Sequence, residues 1–190
     1  MAILLVGLVL FLGAHLLPTF PEPRARLRGR LGEGPYRGLF SLVSLVGFAL
    51  IVWGYSRAPF VGVWTPPVWT RHLALLLMIP AMILLVATYA PPGRIKAAVR
   101  HPMLAAVKIW AFAHLLANGD LASILLFGAF LAYAVYDRIS VKHREARGEV
   151  TVRGGPARND VYAVLGGLAL YAVFAVWLHP LLIGVPALPV

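Results

Sequence analysis

HPMLAAVKIWAFAHLLANGDLASILLFGAFLAYAVYDRIS, residues 101–140, is the stretch that decides the architecture. Two apolar arms, about 101–118 and 120–141, flank one polar break, Asn118-Gly119-Asp120. Asn-Gly favours a tight turn, and Asp120 stands where a side chain can cap the helix that follows. The arms therefore read as an antiparallel helical hairpin, each arm long enough to approach the roughly 30 Å hydrocarbon thickness of a bilayer. Asp137 then falls opposite His101, with Arg100 and Arg138 beside them.

The rest of the chain repeats this pattern. Of 190 residues, 61% are hydrophobic and 13% charged, whereas a soluble domain is about half apolar and a quarter charged. Further apolar helices are predicted at about 1–19, 37–57, 70–90 and 159–179. The expectation is a single all-α transmembrane domain over residues 1–190, a polytopic bundle of about six transmembrane helices. Pro21 and Pro23 close the first helix, Pro66 and Pro67 interrupt the second connection, and Pro91-Pro92-Gly93 stops the third helix. Pro80 is expected to kink that third helix. Gly47 with Gly54, Gly128 with Ala132, and Gly166 with Gly167 are expected to allow close helix approach. The first apolar run has its arginines after it rather than before it, the reverse of a cleavable signal, so it is expected to remain as a span. There is no cysteine, which removes disulfides and thiolate chemistry.

The formal charge of +10 does not point to nucleic acid, because the basic residues border apolar spans, as membrane topology requires. Of 17 Lys and Arg residues, 14 fall in the first, third and fifth connections. Positive loops stay in the cytoplasm, so both N and C termini are expected on the periplasmic side of a bacterial inner membrane. Trp53, Trp64, Trp69 and Tyr55 around the second connection, and Trp177 in the last span, read as interfacial anchors.

Ionisable side chains at membrane depth are rare and often functional. The candidates are His15, His72, His101, Lys108, His114 and Asp137; His143 and His179 read as interfacial. Depth groups His15 with His101 and His72 with His114. A His101–Asp137 or Arg–Asp clamp is the structural reading of the hairpin's basic end. Lys108, two turns into its helix, must snorkel or find a partner.

The segments YRGLFSLVSLVGFALIVWGY (36–55), RHLALLLMIPAMILL (71–85) and the opening hairpin, with HP, AHLLANGD and DRIS at this spacing, resemble the NnrU family of bacterial membrane proteins. That family is associated with denitrification gene clusters and is similar to zeta-carotene isomerase, a haem b protein. The resemblance implies haem b held by His15 and His114, which match the two axial histidines, and a denitrification-linked or isomerase-type and redox-type role. It implies a bilayer setting with an apolar substrate or a membrane-protein partner. Arg100-His101-Pro102 also looks like the RHP motif of membrane methyltransferases that use S-adenosylmethionine, although Met103 departs from their pattern. A non-catalytic membrane assembly factor is the third reading.

Overall fold

The structure, a computed structural model, describes residues 1–188; Pro189 and Val190, and with them the expected periplasmic C terminus, lie outside the described residues. The helices are α1 (Ala2–Leu16), α2 (Pro21–Leu31), α3 (Glu33–Ser56), α4 (Val68–Tyr89), α5 (Arg94–Val99), α6 (Pro102–Ala117), α7 (Leu121–Ala146), α8 (Asp160–Val173) and α9 (His179–Ile183). A π-helical turn, Phe174–Leu178, carries α8 into α9 without a break. Among the described residues there is no β-strand, only one isolated bridge between Gly62 and Asp120. Five helical stretches are long and apolar enough to cross a membrane, and α6, with 16 residues, is a shorter apolar helix.

The first connection, where Pro21 and Pro23 seemed to break the chain, is helical. Pro21 sits in the first turn of α2, where its missing N–H is no loss and its fixed φ suits the helix. Glu22 in the first turn and Arg28 and Arg30 in the last complement the helix dipole. No residue of α2 is buried, and Gly32 ends it at φ 80°, a conformation that favours glycine. The expected end of the hairpin's second arm at 141 is also too early. Apolarity stops there, but the helix-favouring run Lys142 to Ala146 continues α7.

The principal contacts place the long helices in the spatial order α3, α1, α7, α6, α4, α8. Backbones approach most closely where glycine removes a side chain. A Cβ on Gly7 would lie 2.6 Å from the Ile51 nitrogen, and one on Gly47 would lie 2.7 Å from the Phe11 nitrogen; one on Gly54 would meet the Leu4 backbone. Gly167 meets Ile83 of α4 in the same way. Gly128 does not: nothing lies within 4 Å of its Cβ position, so the expected close approach there is absent. α4 runs through Pro80 as one helix. Leu4, Leu8 and Leu12, one turn apart, form a buried stripe that joins Ile51, Ala111, Ala122, Leu126 and Phe127 in the core.

The Asn118-Gly119-Asp120 turn is held from above. Gly119 O accepts hydrogen bonds from Val63 N (2.8 Å) and Trp64 N (3.1 Å), and Leu121 N donates to Val61 O (2.8 Å). A side chain on Gly119 would collide with the Trp64 backbone. Asp120 caps α7 as expected, accepting from Ser123 N at 3.0 Å and from the Ser123 hydroxyl at 2.6 Å. Tyr55 is not the interfacial anchor expected of it: its hydroxyl lies 2.8 Å from the buried Ser123 hydroxyl. Trp53, Trp64, Trp69 and Trp177 are exposed, as membrane anchors would be.

Candidate functional site

His15 and His114 are built the same way. His15 lies in the last turn of α1, with Phe11 one turn earlier; His114 lies in the last turn of α6, with Trp110 one turn earlier. His15 Nδ1 is 2.7 Å from Phe11 O, and His114 Nδ1 is 2.8 Å from Trp110 O. A carbonyl only accepts, so each Nδ1 donates, and in the neutral ring Nε2 is the nitrogen that bears the lone pair. Neither Nε2 has a hydrogen-bond partner among the described residues. Imidazoles that ligate metals are commonly oriented by this Nδ1–H to backbone carbonyl bond.

Aromatic rings fix both imidazoles. His15 stacks on Phe11 at 4.2 Å and has Phe40 and Tyr133 at 5.2 and 6.2 Å. His114 stacks on Phe127 at 4.5 Å and has Trp110 at 5.3 Å. The two clusters are connected through Phe130, whose ring is 5.7 Å from Phe11 and 5.5 Å from Trp110. His15 lies at the level of Tyr133 on α7 and His114 at the level of Phe127, about 9 Å apart along the helix axis. Asn118 fixes the His114 backbone, donating to its carbonyl through both main-chain N and Nδ2 at 2.9 Å.

As a donor set, two neutral imidazoles without cysteine suit haem. Were haem bound, His15 and His114 would be the residues to hold its iron, each offering the Nε2 left without a partner among the described residues. A chain of ring contacts, Phe11 to Phe130 to Trp110, links the surroundings of the two histidines.

The remaining candidates are placed elsewhere. His101 does not meet Asp137. Its Nε2 lies 2.6 Å from Glu145 Oε1, while Asp137 has Tyr133 Oη at 3.5 Å. His101 is the N-cap of α6 and projects beyond the helix start, so it reaches a carboxylate two turns further along α7. Glu145, with a side chain only 8% exposed, also receives Arg100 Nε at 3.2 Å and faces Arg138 Nη1 at 3.9 Å. Arg100 adopts φ 67° there, unusual for a residue with a side chain. Arg100 and His101 of the RHP sequence are thus both engaged by Glu145. His72 is exposed, and Lys108 has no ion pair among the described residues. Sequence reasoning gave no role to Glu145, Ser123 or Phe130; each depends on which helices are neighbours.

A family model described as NnrU protein matches residues 3–187. No curated protein and no solved structure matches the chain.

Proposed function

The chain belongs to the NnrU family, and from that premise we propose that it is a six-span protein of the bacterial inner membrane that binds haem b through His15 and His114. The observation that carries this reading is their shared construction: each Nδ1 is committed to the carbonyl four residues earlier, and each Nε2 is left available. In this reading α6 is the sixth crossing despite its length. It runs from the basic end, at Glu145, to the opposite end, at Trp64, alongside the longer α7. Arg24, Arg28, Arg100, Arg144 and Arg147 gather at the basic end, which the positive-inside rule assigns to the cytoplasm, placing the N terminus in the periplasm.

The chain's own residues supply orientation and exclusion of water. The Phe11 and Trp110 carbonyls hold the imidazole tautomers, and Phe40, Phe127 and Phe130 keep the surroundings apolar. Haem held by both histidines would have to be accommodated beside the Phe11, Phe130 and Trp110 rings. When bound, the haem supplies one-electron chemistry, consistent with a redox-type or isomerase-type role on an apolar substrate and with a denitrification-linked setting. The test is an absorption spectrum of protein purified in detergent after haem-replete expression. A low-spin Soret band that His15→Ala and His114→Ala each abolish or shift is the expected result. No band, or a band unchanged in both variants, overturns the reading; a stable co-purifying membrane protein without a band favours an assembly factor instead.

A further inference from the structure

At the basic end, the link between α1 and α2 meets the last turns of α7 around two adjoining clefts of about 540 and 140 Å³, which share Pro21 and Glu149. Their charged lining is one-sided. Arg24, Arg28, Arg144 and Arg147 stand against the single carboxylate of Glu149, with the His143 ring beside them. Glu149 is already engaged by Arg147 at 2.5 Å and Arg144 at 3.7 Å, and Arg28 is paired outward with Glu33. Arg24 has neither a carboxylate nor a side-chain hydrogen bond among the described residues, and its Nε is buried without a partner. A buried guanidinium nitrogen left unsatisfied is costly unless something completes it.

The rim below the charges has different chemistry. Tyr136 and Ile139 border the larger cleft and are 45% and 51% exposed on the apolar side of α7. The Thr19 and Ser140 hydroxyls lie in the same lining. A ligand that fits both parts carries an anionic oxygen cluster above and a hydrocarbon chain below.

We propose that these clefts hold the phosphate of an anionic lipid, with Arg24 as its principal donor, Arg144 and Arg147 as supporting cations, and the acyl chains lying over Tyr136 and Ile139. Arginine forks match phosphate oxygens in a way that point charges do not. Its lining comes from two separate parts of the chain, residues 18–28 and the end of α7 with Glu149, so it is more than a diffuse basic loop attracted to a negative leaflet.

Retention of phosphatidylglycerol and of phosphatidylcholine by the full chain, purified in detergent, tests this by native mass spectrometry. Phosphatidylglycerol is expected to be retained preferentially, and Arg24→Gln to weaken its retention about fivefold, as expected for the roughly 1 kcal/mol carried by one arginine. Arg57→Gln, at the opposite end of α3, is expected to leave retention unchanged. Equal retention of the two lipids overturns the proposal even if no variant folds, as does an undiminished preference in Arg24→Gln. Inorganic phosphate is the distinguishing probe. Weak competition by millimolar phosphate supports the lipid, whereas phosphate binding as tight as that of phosphatidylglycerol overturns the lipid as occupant.

Discussion

His101 Nε2 and Glu145 Oε1, 2.6 Å apart, join the start of α6 to the end of α7 and close the basic end of the hairpin. The opposite end is closed by Gly119 under Trp64, so the arm carrying His114 is fixed at both extremities. Removing Glu145 leaves both His101 and Arg100 without their acceptor, whereas removing His101 leaves Glu145 with Arg100 but unties the start of α6. His101→Ala and Glu145→Ala are each expected to lower the thermal midpoint in detergent. The double variant should fall little further, because residues in one network do not contribute additively.

The α1–α3 seam depends on glycine. Gly7→Ala and Gly54→Ala put a methyl group into facing backbone and are expected to cost about 1–3 kcal/mol each. Gly13→Ala and Gly128→Ala have nothing within 4 Å and are expected to be neutral, or to gain up to about 1 kcal/mol from helix propensity. Reversible unfolding in mixed micelles measures the difference.

Phe127 is both a core residue and the ring on which His114 stacks. Phe127→Ala is expected to destabilise the protein by about 3 kcal/mol and to release the His114 ring. Val9→Ala, at a position 72% exposed, is expected to stay within about 0.5 kcal/mol. The same unfolding assay distinguishes them.

Asp120 caps α7 and orders the Ser123 hydroxyl toward Tyr55. Asp120→Ala is expected to cost about 1 kcal/mol, the usual loss at an N-cap. Faster amide exchange at Ser123 and Ile124 would locate the effect at this helix end.

Glu149, beyond the end of α7, has its carboxyl held below the ordinary value chiefly by the hydrogen bond from Arg147. A depressed folded-state value means that its stabilising contribution is present above the unfolded value and is lost as pH falls through the folded one. Glu149→Gln is therefore expected to lower the midpoint modestly at neutral pH, where the charged carboxylate contributes, and hardly at all at acid pH, which flattens the acid limb of the midpoint-versus-pH curve.

The hairpin about Asn118-Gly119-Asp120, its cap and the positions of the apolar helices were legible because turn chemistry and hydropathy are local. α2 was hidden by Pro21 and Pro23, which signal a stop when read from the preceding helix and a start when read from the following one. Tyr55 was misread because Trp53 and Trp64 around it are true surface residues, and nothing local shows that Ser123 lies beside it. His101 was assigned the wrong carboxylate because hairpin register gives depth but not the direction in which an N-cap side chain projects.

The sequence by itself determined the bilayer as solvent, the order of apolar helices and the crowding of positive charge into alternate connections. Those properties are sums over neighbouring residues, and burial in lipid reads them directly. The tertiary structure alone decided that α7 lies between α1 and α6, and this brought Phe130 against both Phe11 and Trp110, Glu145 beside His101, and an unpaired Arg24 into one cleft with Arg144 and Glu149. Contacts between distant segments depend on shape and on where glycine lets backbones meet, and no local periodicity records them.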